Sequence, residues 1–383
     1  MRTWAVSLLS MLLVACASAP ASRAPDGLFN DHLFHAPSVR ISAKDVFALS
    51  DEMKHYLSVD IAPQLRSKGA RQGLIDAIAM SGQLKLDYDA IMTRNASEAF
   101  AARSGNCLSL VIMTAAFAKA LELPVKYQSV YADETVSRSG NVQFFIGHVN
   151  LTLGERLIYV GPGRTINDMM TIDFLPPQEI RGLSTRVIGE ESIVAMFMNN
   201  RAAEVLVQGH LDDAYWWARG AIAQDPRFLS AYNTLGIVYQ RHGELIEAEK
   251  TFAYILEREP GNTRVMSNLQ RLLVEMGRAE EAKLLAIQLE KLEPNPPFSY
   301  FNLGMKALRE GNPEAARNMF AKEVDRAPYY HEFRFWLGVA YLGLGDVDQA
   351  RKQLTFALEY ATSRSDHDLY AAKLDRIRSS RLQ

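Results

Sequence analysis

The chain has 383 residues, enough for two or three domains. Its hydrophobic share of 48% and charged share of 22% fit a soluble globular protein and exclude a disordered or membrane-embedded one. A net charge of -2, with no basic stretch carrying interleaved aromatics, gives no footing for nucleic-acid binding.

At the N-terminus, Met1-Arg2 supplies positive charge and Trp4 to Val14 forms a short apolar run. That length suits an export signal and falls short of the roughly 20 residues a membrane span needs. The run Leu13-Val14-Ala15-Cys16 resembles the lipobox of bacterial lipoproteins. The resemblance implies that residues 1–15 are a signal peptide and that Cys16 becomes a lipid-modified N-terminus. Ala17, rather than Asp, implies delivery to the outer membrane, facing the periplasm. Residues 16–40, with an Ala-, Ser-, Pro- and His-rich stretch from Pro20 to Pro37, then read as a tether.

Residues 41–190 lack any long period. Ile41 to Leu57 is predicted to be helical with Ser42 as N-cap, and Gly73 to Met80 a second short helix or a turn region. After Gly105-Asn106, the run from Cys107 to Leu121 is apolar nearly all round, which predicts a buried helix with Cys107 in its first turn. Unpaired N–H groups and the macrodipole favour a thiolate at such a position. A lone Cys in an apolar run is by itself more often an inert core thiol, so the assignment depends on its partners. Val125 to Tyr131 alternates as a strand, followed by a polar loop from Asp133 to Asn141. Phe144 to Leu153 is a second strand, with His148, Asn150 and Thr152 on one face. Leu157 to Val160 returns as its hairpin partner, and Thr171 to Phe174 is one more short strand before Pro176-Pro177.

Cys at a helix start, His on a strand and Asp on a later strand resemble the transglutaminase-like (papain-like) superfamily. The pieces that carry the resemblance are Arg103-Ser104-Gly105-Asn106-Cys107, Gly147-His148-Val149 and Ile172-Asp173-Phe174. It implies an α+β domain in which Cys107 is the nucleophile, His148 the general base and Asp173 the residue that orients the imidazole. The gap between His148 and Asp173 is longer than that superfamily's tight hairpin, and Asp168 is a rival third member. No metal set is expected: one Cys remains for ligation and His32 and His35 lie in the tether. No cofactor motif occurs.

From about residue 195 the sequence repeats with period 34. Pro226, Pro260, Pro294 and Pro328 hold one register; Gly209, Gly243, Gly277, Gly311 and Gly345 a second; Ala214, Ala248, Ala282, Ala316 and Ala350 a third. Gly236, Gly304 and Gly338 hold a fourth, with Gln270 in the gap. This resembles the tetratricopeptide repeat and implies an all-α solenoid of five units over 191–362, closed by a capping helix and tail over 363–383. The set of basic and Asn residues that grips a C-terminal carboxylate in some such arrays is absent. On the repeat template Phe298, Phe301, Met305 and Phe335 line the concave face. They read equally as inter-repeat core or as an apolar groove for a protein or peptide partner.

Two functions compete. One is an envelope lipoprotein whose Cys107 forms an acyl-enzyme with an amide of a protein or peptide, resolved by water or by an amine; the resemblance leans to hydrolysis. The alternative is a non-catalytic scaffold for protein–protein interaction.

Overall fold

The computed structural model describes residues 25, 27–78, 84–90, 92–139, 142–154, 158–161, 164–166, 169–175 and 184–380. The leader with Cys16, and Asp168, lie outside the described residues.

Three short helices open the N-terminal region: α1 (Asp51–His55), α2 (Ala62–Lys68) and α3 (Ala70–Ile78). The single helix expected from Ile41 does not form. A 3-10 turn spans Ala43–Asp45, and Ser42 makes no cap. Ser50 caps instead, its Oγ accepting from the Met53 amide at 3.2 Å. Asp51 and Glu52 follow it in the first turn, where the macrodipole favours negative charge. Helix α4 (Ala96–Ala102) starts with a reciprocal box: Asn95 Oδ1 accepts from the Glu98 amide, and Glu98 accepts from the Asn95 amide, both at 2.9 Å.

Helix α5 (Cys107–Ala120) is the predicted buried helix, and every residue from Cys107 to Ala118 is buried. Beside it lies an antiparallel sheet ordered β7-β4-β3-β8, from β3 (Val125–Ser139), β4 (Val142–Leu153), β7 (Met170–Ile172) and β8 (Ser184–Ile188). Strand β3 runs through most of the expected polar loop, since its register with β4 slips after Val130 and resumes at Thr135. The expected return strand pairs elsewhere: β5 (Ile158–Gly161) pairs with β6 (Arg164–Ile166), and β4 takes β7 as its neighbour. Val149, Leu151 and Leu153 join the core around α5, while His148, Asn150 and Thr152 alternate with them and are buried too. Two two-residue strands, β1 (Asp87–Tyr88) and β2 (Ser104–Gly105), pair in parallel just ahead of α5.

The C-terminal half is five helix pairs: α6 (Glu190–Val207) with α7 (Leu211–Gln224), α8 (Leu229–His242) with α9 (Leu245–Leu256), α10 (Thr263–Glu275) with α11 (Ala279–Leu292), α12 (Ser299–Arg309) with α13 (Pro313–Arg326), and α14 (His331–Gly343) with α15 (Val347–Glu359). Helix α16 (Arg364–Ser380) closes the end. The glycine register has a backbone cause. Gly209, Gly243, Gly277, Gly311 and Gly345 turn the chain inside each pair with φ between +73° and +93°, a region that disfavours a side chain. The second glycine register has a packing cause. A Cβ on Gly236 would stand 2.5 Å from the Phe252 ring, and one on Gly304 2.6 Å from Phe320. The third unit departs from the second, fourth and fifth, carrying Gln270 where they have Gly and Ala286 where they have Phe252, Phe320 and Leu354.

That exchange weakens the third unit's core. In α11 only Ala282 is buried. The apolar interior accordingly divides: one core runs from Leu28 through α5 and the sheet to Leu272, a second from Phe298 to Ala340, and a third joins Leu354 to Leu374 and Ile377 of α16.

The stretch expected to be a free tether is docked from Leu28 onward. Phe34 stacks on Tyr215 at 3.9 Å and is buried, worth about 2 kcal/mol. Asn30 donates to the Tyr239 hydroxyl, Tyr215 and Arg219 donate to Asp31, and the Ser38 amide and hydroxyl both donate to Asp213 at 2.6 Å. At the other end of the array, the Thr362 carbonyl accepts from the Ala90 amide at 3.2 Å, so the last turn touches the N-terminal region.

His331 is set into this end. Its Nδ1 meets the Tyr370 hydroxyl of α16 at 2.8 Å and its Nε2 the Thr362 hydroxyl at 3.1 Å. Burial pulls its pKa below the ordinary 6.5, with Asp366 opposing. The unfolded chain therefore takes up the proton more readily, and this contribution to stability is full above pH 6.5 and lost as pH falls below it. Thermal melts should show α16 loosening on acidification from pH 8 to pH 5, with the pH-dependent part absent in His331→Gln. A melt of the cap that is flat in pH overturns this.

Candidate functional site

The start of α5 is built by close packing and caps. Gly105 leaves no room for a side chain, because a Cβ there would stand 2.6 Å from the Ser109 Cβ. Asn106 is the N-cap: its Oδ1 accepts from the Ser109 amide at 2.9 Å and from the Ser109 hydroxyl at 2.8 Å. Cys107 follows as the first helical residue, buried at 2% exposure. It is a free thiol.

His148 comes from β4, near the point where that strand's register with β3 slips. Asp173 stands one residue past β7, and pairing of Ile172 with Leu151 carries it alongside Asn150 and His148. The His148 Nε2 lies 2.8 and 2.9 Å from the two Asp173 carboxylate oxygens. Asn150 Nδ2 donates to the same carboxylate at 2.9 Å and the Leu175 amide at 3.0 Å. Three donors and burial to 7% fix that carboxylate.

These contacts decide the charges. Burial alone would lower the pKa of His148, but the hydrogen bond to Asp173 and the Cys107 thiol beside it outweigh burial and push it up to about 9. Burial would raise that of Asp173, yet His148, the Leu175 amide and Asn150 hold it below the ordinary carboxylate range. An Nε2 facing a carboxylate on both oxygens carries the proton. In a neutral ring the lone pair is then on Nδ1. Nδ1 is buried without a hydrogen-bond partner among the described residues, and Cys107 is the titratable neighbour that acts on the ring. The structure thus brings Cys107, His148 and Asp173 into one buried cluster.

The expected groove residues fare differently. Phe298 and Phe301 are 1% exposed and belong to the second core, their rings 5.2 and 5.6 Å from Phe333. They pack one pair on the next and offer nothing to a partner. Phe335 is half-buried under the capping helix, stacked on Tyr370 at 4.8 Å, and Met305 is half-buried against the second core. Exposed apolar side chains lie elsewhere on the array, among them Leu284, Ile287 and Leu292 on α11 and Leu303 on α12. Leu284 and Ile287 are three apart on one helix face, and the missing large residue of the third unit was the signal in the sequence.

The tetratricopeptide-repeat family model matches residues 301–363. The C-terminal part is a tetratricopeptide-repeat solenoid. The chain is 30% identical over 121 residues to the type IV pilus assembly protein PilF of Pseudomonas aeruginosa, covering 31% of this chain and 48% of that protein. It is 26% identical over 138 residues to the TPR repeat-containing protein PA4667 of the same organism, covering 36% and 23%. The chain thus spans less than half the length of either curated relative. Among solved structures, a thermophilic TPR protein of Thermus thermophilus is 20% identical over 47% of this chain and 98% of that one, with TM-score 0.29. The structure of pilF from Pseudomonas aeruginosa is 20% identical over 50% and 88%, with TM-score 0.30. No helix among the described residues is long and apolar enough to cross a membrane.

Proposed function

We propose that the chain is a scaffold for protein–protein interaction, with the repeats holding a protein or peptide partner. The observation that carries this reading is the repeat array itself, whose stacked helix pairs offer an extended surface. The exposed Leu284, Ile287 and Leu292 on the last helix of the third pair and Leu303 on the first helix of the fourth support an apolar contact on the partner. The likeness to a pilus assembly protein supports an assembly role in the cell envelope, and Cys16 is proposed as its lipid anchor. One experiment addresses both. The full chain, captured from detergent extracts of envelope, is expected to retain a protein that a Leu284→Glu, Ile287→Glu double variant loses, while Cys16→Ser moves the chain to the soluble fraction. Equal retention by the double variant overturns the surface. Unchanged fractionation overturns the anchor.

A second reading is favoured by the buried cluster: a transglutaminase-like thiol site acting on an amide of the partner. With its proton held on His148 Nδ1, the Cys107 sulfur would attack the carbonyl carbon, forming a C–S bond as the carbonyl oxygen becomes an oxyanion. The C–N bond then breaks as the amine leaves with the proton from His148. Water or an amine resolves the thioester. The Cys107 backbone N–H is one donor for the oxyanion. Asp173 keeps the ring oriented and stabilises its cationic form.

A further inference from the structure

The first repeat helix is wired into the thiol helix by a polar side chain that neither reading uses. Thr93 lies in an irregular stretch between β1 and α4 and is 1% exposed. From the repeat side, Glu204 Oε1 accepts from the Thr93 amide at 2.7 Å, Asn200 Nδ2 donates to its Oγ1 at 3.2 Å, and Arg201 donates to its carbonyl at 3.4 Å. All three belong to α6. From the thiol side, Asn106 Nδ2 donates to the same Oγ1 at 2.9 Å. Asn106 is the residue whose Oδ1 caps α5, one position before Cys107. The next residue closes the loop: the Arg94 amide donates to the Ser109 hydroxyl at 2.8 Å.

The arrangement is costly unless it is needed. Asn106, Ser109 and Thr93 are all buried polar groups, satisfied by one another, by α6 and by the Arg94 amide. The Asn106 amide has one way to place its Oδ1 on the cap, since its nitrogen must point at the Thr93 hydroxyl. Rotating it breaks both ends at once.

We propose that Thr93 is a positioning residue through which the first repeat helix fixes the N-cap Asn106 and so the orientation of Cys107. The proposal rests on the thiol reading. It makes α6 part of the thiol site's frame, so the repeat array and the thiol domain are one functional unit.

The test uses the full chain and iodoacetamide, following Cys107 labelling against pH. Thr93→Val removes the shared hydroxyl at similar volume. It is expected to slow labelling at neutral pH about tenfold and to shift the inflection of the pH profile, since misplacement by about an ångström costs that much or more. Thr93→Ser keeps the hydroxyl and restores the wild-type profile, which general loosening of the fold would not. Asn200→Ala, a change on the repeat helix at a half-buried side chain, is expected to move the profile in the same direction and serves where Thr93→Val does not fold. A Thr93→Val or Asn200→Ala profile superimposed on that of the wild type overturns the positioning role and leaves the thiol reading standing. A wild-type profile no different from that of His148→Ala overturns the thiol reading, and this proposal with it.

Discussion

Replacing His148 with alanine is expected to slow alkylation of Cys107 at neutral pH by about two orders of magnitude, the ordinary scale of a positioned acid–base partner. The thiol is buried at the start of an apolar helix, where a thiolate is poorly solvated. The imidazole is the group beside it that can take the proton, and Asp173 keeps that imidazole charged up to about pH 9. Two consequences in pH follow. The wild-type labelling profile should carry an inflection near pH 9, where the ring loses its proton, and His148→Ala should lack it. Stability moves as well. The folded-state pKa of His148 is raised above its unfolded 6.5, so its contribution is complete below pH 6.5 and is lost as pH rises through about 9. His148→Ala should therefore show a flatter melting temperature between those pH values. Asp173→Asn removes the principal partner and brings the His148 titration, followed by NMR, down toward the ordinary range. Wild-type labelling no faster than that of the alanine variant, with a single thiol titration, would remove the catalytic reading and leave the scaffold.

The parts of this molecule that could be read in the sequence are those whose cause is local. The period of 34 is legible because each Gly at the inner turn answers a backbone demand, a positive φ, that recurs with the unit. Helix α5 is legible because Asn106 caps it and twelve consecutive residues from Cys107 are buried. The pairing of His148 with Asp173 came from chain order and family likeness. What the residues alone lacked was the antiparallel pairing of β4 with β7 that brings them together. What stayed hidden is long-range. Leu28 to Ser38 looks like a tether because its composition is poor in helix and strand signals. Its order comes from side chains on α7, α8 and α9, about two hundred residues away, such as Tyr215, Arg219 and Tyr239. Thr93 was silent for the same reason: nothing in its flanks records Glu204 or Asn200. Phe301 was placed on the right helix with its face left open, Phe298 stands one residue ahead of that helix as its N-cap, and packing of the fourth pair against the fifth turned both inward.

Phe320→Ala is expected to cost about 3–5 kcal/mol, the range for emptying an aromatic core position, and to cost it in one part of the chain only. Phe320 is fully buried, its ring lying over Gly304 and 5.7 Å from Phe301. No side chain at Gly304 can fill the space left, and the neighbouring rings of Phe301 and Trp336 are held by contacts of their own. In a solenoid, stability is close to a sum over units and their interfaces, so damage stays where the coupling between units is weak. That weak point is the third unit, where α11 buries only Ala282 and the apolar core divides between Leu272 and Phe298. Amide exchange should therefore show residues 299–359 losing protection first in Phe320→Ala, while the amides of α5 keep theirs. Phe252→Ala, the same register in the second unit, falls inside the large core that also holds Cys107, and should lower protection in α5 and the second unit together. A Phe320→Ala chain that loses protection everywhere at once would mean the two cores fold as one, and that the Gln270 and Ala286 exchange is no boundary.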